Sequence, residues 1–409
     1  MIAQALRQHS YTQAAPGVTE RNRKFDSVLV ISVVLLLSLG LIMVASASIA
    51  IADRKTHVPL YFFYRQAAYI GIGVLLSAIV LNIPLRLWNK AGASLFVIGL
   101  LMLALILIPG VGHTVNGSTR WLNLGLFKAQ PSEFMKLFVI VYLAGYLLRR
   151  SEEIKTSAWG FMKPMSVLLL TALLLLLEPD FGTTVVIFAT AMGMMYLAGV
   201  RLSHFGLLIL LCGLAMAVLV ISSPYRLERL TAFMNPWADP FNSGFQLTQA
   251  LIAFGRGEWF GVGLGSGIQK LFYLPEAHTD FVFAVIAEEL GMVGAMTVLL
   301  LFVCVIWRAF LIARRAERLD KPFAAYIAYG IGLWIGIQSF INLGVNMGVL
   351  PTKGLTLPLM SYGGSSIIAM CMAIALLLRV DIELRGWPAD GQRKGSQRDF
   401  KPAQRRRVS

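Results

Sequence analysis

One segment of the chain, LPEAHTDFVFAVIAEELG, concentrates ionisable side chains that could do chemistry. Glu276, His278 and Asp280 precede an apolar run with the length of a membrane-spanning helix. Glu288 and Glu289 lie inside that run. Ionisable groups at membrane depth are costly, and they usually serve a transport pathway or a reaction. The segment therefore predicts a reactive or transport site at the mouth of a helix bundle.

The same segment also has a purely structural interpretation. Thr279 and Asp280 are both residue types that cap helix N-termini by accepting hydrogen bonds from free backbone N–H groups. The segment alone does not decide between a helix cap and a reactive group, so the rest of the chain must.

A second pair of charges lies at the start of a predicted helix, in QPSEFMK. Glu133 and Lys136 are three residues apart and so share one helix face, and Pro131 fits a helix start. A charged pair inside a membrane should face the bundle interior or a wet cavity. The pair is thus an ion pair at a helix end, part of the lining of a site, or both.

Other polar residues stand in connections between apolar runs. Asp180, in EPDFG, is either a turn-forming residue, with Gly182 supplying the bend, or a site residue. Lys353, between two prolines in LPTKGLTLP, is either solvated or a counter-charge for an anionic ligand. Arg120 and Trp121 could contact a sugar and a phosphate, or could anchor the chain at the membrane interface.

Two further motifs invite enzymatic interpretations that their context does not support. The glycine-rich segment 255–267, GRGEWFGVGLGSG, has no preceding strand and no Lys-Ser or Lys-Thr ending, which excludes a nucleotide loop. Its glycines permit a tight loop or a close approach of backbone N–H groups to a phosphate. Ser361, in SYGGSS, fits a helix-entry turn, because no histidine and acid stand near it in a hydrolase arrangement.

The composition is that of a polytopic membrane protein. The 409 residues are 57% hydrophobic and 14% charged, with mean hydropathy +0.70, and a soluble domain cannot bury that much apolar surface. The net charge of +15 therefore indicates contact with anionic membrane lipid, and nucleic-acid binding is excluded. Cys212, Cys304 and Cys371 stand singly in apolar runs, which argues against disulfides or a zinc site.

Runs of about 20 mainly apolar residues predict an all-α fold of about ten membrane-spanning helices. The predicted spans are 27–52, 60–83, 92–108, 133–148, 165–177, 183–200, 203–222, 281–312, 322–345 and 364–384. They form one membrane domain, residues 26–385. The polar tails, residues 1–25 and 386–409, are expected to be disordered.

The distribution of Lys and Arg predicts the orientation. About 25 of the 36 basic residues fall in the tails and in alternate loops, which satisfies the positive-inside rule with both termini cytoplasmic. The connections 109–131 and 178–182 and the long loop 223–280 then face outward. Residues 245–254 of that loop, FQLTQALIAF, have the spacing of a short amphipathic helix. The polar groups singled out above converge on this face.

Several of these strings, taken in order, resemble the SEDS family of integral membrane proteins. They are STRWLNLG, QPSEFMK, EPDFGT, ADPFNSGFQLTQALIAFGRGEWFGVGLG, YLPEAHTDFVFAVIAEELG and LPTKGLTLPLMSYGGSS. The resemblance extends from about Asp26 to Arg385, and it is closer to the members that act in cell division than to those that act in elongation.

The resemblance implies a peptidoglycan glycosyltransferase of the bacterial inner membrane that polymerises lipid II, the undecaprenyl-pyrophosphate-linked disaccharide-pentapeptide, at the septum. The implied partners are a class B penicillin-binding transpeptidase of the FtsI type and divisome activator proteins. Asp280 falls on the family's essential external aspartate and is the predicted catalytic residue. The predicted substrate-binding residues are Arg120, Trp121, Glu133, Lys136, Asp180, Arg256, His278, Lys353 and Ser361.

The implied reaction assigns a chemical task to these groups. A sugar hydroxyl is a poor nucleophile, so Asp280 is expected to act as a general base whose pKa is raised by desolvation. Lys353, Arg120, Arg256 or a divalent cation such as Mg²⁺ or Mn²⁺ is expected to neutralise the departing diphosphate. Two alternatives remain open: a lipid II flippase, and a non-catalytic divisome scaffold that recruits a transpeptidase.

Overall fold

A computed structural model describes residues 25–115, 118–123, 128–201, 205–206, 233–242, 244–351 and 354–386. Helices dominate these residues. In chain order they are α1 Ser27–Thr56, α2 Tyr61–Asn82, α3 Leu85–Ile106, α4 Pro131–Arg149, α5 Ser151–Thr156, α6 Ala158–Leu177, α7 Phe181–Leu197, α8 Phe245–Gly257, α9 Val282–Arg318, α10 Pro322–Asn346 and α11 Gly364–Arg385, with a short 3₁₀ helix at Pro236–Ala238.

Nine of the ten predicted spans coincide with helices, and the prediction of an all-α membrane protein is confirmed. Seven of the described helices, α1, α2, α3, α4, α6, α9 and α10, are long and apolar enough to cross a membrane. The predicted span 203–222 lies outside the described residues except for positions 205 and 206, as do both predicted tails apart from Phe25 and Gly386.

Two helices begin seven residues earlier than predicted. Helix α3 begins at Leu85 and helix α6 at Ala158, where the hydropathy pattern placed the starts at residues 92 and 165. Their first two turns carry Arg86, Lys90 and Lys163, which lower the local hydropathy. Long basic side chains tolerate such positions because they extend their charged ends toward water.

Contacts between distant helix ends define the two ends of the bundle. Asp26 caps α1 by accepting a hydrogen bond of 3.0 Å from the Leu29 N–H, and its other carboxylate oxygen accepts one of 2.7 Å from Arg308 Nε. Asp280 lies before the first turn of α9, at the opposite end of that helix from Arg308. Below, the end of the bundle that carries Asp280 is called the site end.

Helices α4 and α10 form the centre of the bundle. Their most apolar windows are 72% and 67% buried, against 17–44% for the other candidate spans. The outer helices instead present large apolar side chains such as Leu75 and Leu101, which are 65% and 64% exposed, as expected of surfaces that face lipid. The central position of α4 places Glu133 and Lys136 in the bundle interior.

A small antiparallel sheet covers part of the site end. Its strands are β1 Gly112–Val115, β2 Ser118–Asn123 and β3 Lys128–Ala129, in the order β1-β2-β3. All three strands lie in the connection 109–131 that the sequence places outside the membrane. The sheet is short, and its importance is that Arg120 and Trp121 project from β2.

Helix α9 is broken at Gly291, and the glycine-rich loop after α8 repairs the break. Gly291 has φ 66° and ψ −164°, so the helical hydrogen bonds around it cannot form. Four backbone hydrogen bonds to the loop replace them: Val262 N–H to Glu288 O (3.0 Å), Gly263 N–H to Glu289 O (3.1 Å), Met292 N–H to Glu258 O (2.9 Å) and Val293 N–H to Trp259 O (3.1 Å). The glycine-rich segment therefore supplies the main-chain hydrogen-bond partners that α9 lacks at the break.

The glycine-rich segment requires glycine where its backbone approaches α9 most closely. A Cβ atom added at Gly257 would lie 1.8 Å from the Ala287 carbonyl oxygen, whereas one added at Gly255 would meet no atom within 4 Å. Both glycines belong to the last turn of α8, so they form a matched pair for mutation.

We expect Gly257→Ala to destabilise the protein by about 1–3 kcal/mol, the usual cost of overpacking. Gly255→Ala should be neutral or slightly stabilising, because alanine is the better helix former. Thermal unfolding of the purified protein in detergent measures both. Equal melting temperatures for the two variants would contradict the proposed close contact.

Candidate active site

Asp280 lies at the site end with its backbone fixed and its carboxylate half-buried. Its carbonyl oxygen accepts hydrogen bonds from Asn342 Nδ2 at 3.0 Å and from Asn346 Nδ2 at 2.9 Å. Its carboxylate oxygen Oδ2 would lie 3.1 Å from a Cβ placed on Gly354, so the chain after α10 passes directly beside it. No side chain or backbone group among the described residues hydrogen-bonds this carboxylate.

The two asparagines that hold Asp280 connect three segments. Asn342 Nδ2 also donates to the Leu355 carbonyl at 2.6 Å, and Asn346 Oδ1 accepts from the Ala284 N–H at 3.1 Å. Both side chains are buried. We did not single them out from sequence, although two amides four residues apart in an apolar helix are a detectable signal, because buried amides need partners.

The surroundings of Asp280 give its carboxyl group the properties of a base. The pKa of Asp280 is raised to about 7: burial raises it most, the negative charge of Glu276 also raises it, and Arg120 opposes both. A carboxyl group with a pKa near the working pH is both available as a base and strong enough to take a proton. Asp280 does not cap the helix that follows it, because no side chain forms a capping hydrogen bond at the N-terminus of α9.

Arg120 reaches from the small sheet to the turn between α6 and α7. Its Nε donates to the Glu178 carbonyl at 3.1 Å, a second nitrogen donates to the Pro179 carbonyl, and Nη1 lies 3.8 Å from Asp180 Oδ1. Its neighbour Trp121 is half-buried on the same strand. Arg120 thus braces the EPDFG turn and acts electrostatically on Asp280 as well.

Glu178 is a buried carboxyl group that the sequence reading passed over. Its pKa is raised to about 8: burial raises it most, the charge of Asp180 also raises it, and Arg120 lowers it. Neither of its carboxylate oxygens has a hydrogen-bond partner among the described residues. Its position at the end of an apolar run gave no sign that the side chain turns inward.

Asp180 has the structural role that the sequence offered as one alternative. Its Oδ1 caps α7 by accepting from the Thr183 N–H at 3.3 Å, and its Oδ2 accepts from Ser132 Oγ at 3.0 Å. A Cβ on Gly182 would lie 2.7 Å from Leu355 Cγ, so this turn packs tightly on the chain segment that follows α10. A role in substrate binding stays a prediction.

Glu133 and Lys136 form a buried ion pair at 2.9 Å. Lys136 Nζ also donates to Gln338 Oε1 at 2.9 Å, and Gln338 Nε2 donates to the Thr356 carbonyl at 2.9 Å. Lys136 further lies 5.2 Å from the ring centroid of Trp334. The pair therefore links α4, α10 and the segment beside Asp280. The structure shows the ion pair at the start of α4; a role in lining the site stays a prediction.

His278 and Ser361 join the loop before α9 to the turn before α11. The Tyr362 N–H donates to the His278 carbonyl at 2.9 Å, and the His278 ring centroid lies 4.7 Å from that of Phe62. Burial lowers the pKa of His278, which keeps the imidazole neutral. Ser361 Oγ accepts from the Leu357 N–H at 2.8 Å and is buried, in agreement with a helix-entry turn.

Arg256, Glu288 and Glu289 anchor the glycine-rich loop. Arg256 Nη1 lies 3.1 Å from Glu288 Oε1, which also accepts from the Ile268 N–H at 2.9 Å. Glu289 lies 2.6 Å from Lys270 Nζ and accepts from Ser46 Oγ at 2.8 Å. These carboxylates, which the sequence marked for chemistry or transport, have fully partnered structural positions.

Two predicted elements of the site have no counterpart among the described residues. Lys353 lies outside them. Within the described part of the chain, no group of three or more His, Cys, Asp or Glu side chains is arranged to hold a metal ion. A divalent ion at the site stays a prediction.

Comparison with known proteins identifies the family. The family model of FtsW, RodA and SpoVE, described as cell cycle protein, matches residues 26–386. The probable peptidoglycan glycosyltransferases FtsW of Nitrosococcus halophilus and Thioalkalivibrio sulfidiphilus are 57% and 56% identical over 92% and 88% of this chain and 96% and 90% of their own.

Solved structures agree with this match. One similar chain comes from a solved structure described as the structural coordination of polymerization and crosslinking by a peptidoglycan synthase complex. Its TM-score is 0.73 at 31% sequence identity, and the match covers 88% of this chain and 98% of that one. RodA of Thermus thermophilus, a rod shape determining protein, has a TM-score of 0.64 at 28% identity over 90% and 98%. The chain thus belongs to the FtsW, RodA and SpoVE family of cell cycle proteins, the SEDS family that its motifs resemble.

Proposed function

We propose that this protein is a peptidoglycan glycosyltransferase that polymerises lipid II into glycan strands during septal wall synthesis. The relatives with more than half of their residues identical are named as probable enzymes of this kind. The structural observation that carries the proposal is Asp280, a half-buried carboxylate with a pKa of about 7, held by its backbone at the site end of a membrane-embedded helix bundle.

The proposed reaction forms a β-1,4 glycosidic bond with inversion. The 4-hydroxyl oxygen of the acceptor sugar attacks the anomeric carbon of the donor, and the bond from that carbon to the diphosphate oxygen breaks. The diphosphate leaves with the bonding electrons, and Asp280 takes the hydroxyl proton. Diphosphate is a good leaving group once its charge is neutralised, so a second carboxylic acid is less needed than in glycoside hydrolysis.

Positive charge near Asp280 would stabilise the departing diphosphate. Arg120 is the described cation that acts on Asp280, and its side chain is 25% exposed. Lys353 and Arg256 remain proposed phosphate ligands, although Arg256 is already paired with Glu288. A divalent cation bound with the substrate would add Lewis-acid neutralisation of the phosphate charge.

The proposed setting is the bacterial inner membrane, with both termini cytoplasmic and the site end facing the periplasm. A partner transpeptidase of the class B, FtsI type is supported by a structural relative that comes from a complex coordinating polymerization and crosslinking. Divisome activators would regulate the pair. Lipid-facing grooves between the outer helices would hold the prenyl chains of donor and acceptor.

The buried ion pair of Glu133 and Lys136 is connected to the chain segment beside Asp280. Glu133 and Lys136 reach Thr356 through Gln338, and Gly354, two residues before Thr356, lies beside the Asp280 carboxylate. We propose that the pair keeps this segment in place. Its contribution to activity would then be indirect.

Replacement of Asp280 tests its proposed role as the general base. Purified Asp280→Asn should bind lipid II but lose polymerisation by at least about a hundredfold, the usual contribution of a positioned general base. Asp320→Asn, an exposed acid at the opposite end of α9, should retain activity. The measurement is glycan-strand formation from lipid II by the full-length protein with its partner transpeptidase. Glycan synthesis by Asp280→Asn at the wild-type rate would refute the proposal.

The proposed role of Asp280 also predicts how the polymerisation rate depends on pH. A general base must be deprotonated, so the polymerisation rate should rise as pH increases through about 7, the pKa of Asp280. Arg120→Gln removes a charge that lowers this pKa and should move the rise to higher pH. Glu276→Gln removes a charge that raises it and should move the rise to lower pH. Arg86→Gln at the opposite end is the control, and shifts of Arg120→Gln and Glu276→Gln in the same direction would contradict the assignment.

Charge reversal tests direct pairing of Glu133 with Lys136. Each single reversal, Glu133→Lys or Lys136→Glu, leaves like charges buried together and should cost about 3–5 kcal/mol of stability. The double reversal should recover part of that loss in thermal unfolding. Arg150, whose side chain is 57% exposed beside Glu153, is the surface control, for which Arg150→Glu should cost less than about 1 kcal/mol because Glu153 keeps its second partner, Lys163. Melting temperatures of the double reversal no higher than those of the singles would exclude direct pairing.

A further inference from the structure

Arg65 is a partly buried cation at the site end without an acidic partner among the described residues. The other buried or partly buried cations described there, Arg120, Lys136 and Lys270, each face a carboxylate. The described hydrogen-bond partners of the Arg65 guanidinium are instead the hydroxyls of two tyrosines on its own helix. A cation at membrane depth is costly unless something neutralises it.

Two tyrosines of α2 hold the Arg65 guanidinium in place. Nη1 donates to Tyr61 Oη at 3.0 Å, and Nη2 donates to Tyr69 Oη at 2.6 Å. The guanidinium also lies 5.5 Å and 5.6 Å from the centroids of the two rings. The Tyr69 ring is itself fixed, because a Cβ on Gly364 would approach it to 2.7 Å. The cation is therefore pre-organised.

This arrangement leaves hydrogen-bond donors free for an anion. Arginine has five N–H donors, and the described contacts of Arg65 use two. Each tyrosine oxygen accepts from Arg65, so its own O–H proton remains available for donation. A fork of guanidinium N–H groups flanked by hydroxyl donors matches the oxygen atoms of a phosphate group.

The position of Arg65 points to a lipid as the carrier of that phosphate. Helix α2 is the least buried of the candidate spans, at 17% of its most apolar window, so it faces lipid. Phe62, one turn before Arg65, contacts His278, two residues before Asp280. Tyr362 lies next to both rings, with centroids 5.0 Å from Phe62 and 5.6 Å from His278.

We propose that Arg65, with Tyr61 and Tyr69, binds the phosphate of a membrane lipid, and that this lipid is the polyprenyl diphosphate part of the substrate. The second half of this assignment rests on the proposed function. The Arg65 site is a cation at the site end that no carboxylate of the described residues neutralises, whereas Arg120 and Arg256 already have acidic partners.

The test measures binding of undecaprenyl diphosphate to the full-length protein in detergent, by thermophoresis. Arg65→Gln should weaken binding about tenfold or more, as expected when charge-assisted hydrogen bonds are lost. Arg65→Lys, which keeps the charge but loses the fork, should weaken it less. Undecaprenol, which has no phosphate, should bind all variants alike. Arg54→Gln, an exposed cation of α1 near the site end, is the control.

The double variant Tyr61→Phe with Tyr69→Phe guards against a folding defect. It preserves the packing of the rings and removes only the hydroxyls, so it should melt like the wild type and still bind undecaprenyl diphosphate several-fold more weakly. Binding by Arg65→Gln and by the double variant within twofold of the wild type would overturn the proposal.

A competition experiment distinguishes the substrate lipid from other phosphate-bearing lipids, and a polymerisation assay distinguishes the phosphate site from the proposed function. Phosphatidylglycerol that competes with undecaprenyl diphosphate at equal concentration, in the wild type but not in Arg65→Gln, would overturn the substrate assignment. In polymerisation, Arg65→Gln should raise KM for lipid II and largely retain kcat. Arg65-dependent binding without any polymerisation by the wild-type protein would refute the proposed function and leave the phosphate site standing.

Discussion

The amides of Asn342 and Asn346 fix the backbone of Asp280, and the geometry of the site follows from that constraint. The same side chains bind the first turn of α9 and the Leu355 carbonyl, so three segments meet at one buried junction. Because the hydrogen bonds go to the main chain of Asp280, its carboxylate is left without a partner among the described residues. The fold thus immobilises the main chain of Asp280 and leaves its carboxylate available for the proposed reaction.

The remaining charges of the bundle are treated in the opposite way. Glu288 and Glu289 are buried, and cations, hydroxyls or backbone N–H groups donate to both oxygens of each. Glu133 is buried against the Lys136 ammonium, and pairing of this kind is the condition under which buried charge is tolerated. Pairing makes these three carboxylates components of the scaffold. Among the described residues of the site end, three groups depart from this pattern: the carboxyl groups of Asp280 and Glu178, which accept no hydrogen bond, and Arg65, which has no acidic partner. The proposed reaction between a sugar alcohol and a lipid diphosphate would use groups of both signs.

Local properties of the sequence predicted most of the helices and singled out Asp280, whose catalytic role stays a prediction. Apolar runs of sufficient length identify spans because lipid forces the backbone to satisfy its own hydrogen bonds. Glu178, Asn342 and Arg65 were not found, since their roles depend on which distant segments pack beside them. The same reason explains Glu288 and Glu289, whose charge suggested chemistry and whose partners come from a loop about 20 residues away along the chain.

The break in α9 has a mechanical consequence. Helix α9 has 37 residues and is about 55 Å long at 1.5 Å per residue, which exceeds the thickness of a bilayer. Four main-chain hydrogen bonds join residues 258–263 to α9 at this break. A displacement of residues 258–263 is therefore coupled to the orientation of α9, which also carries the contact between Arg308 and Asp26 at the other end of the bundle.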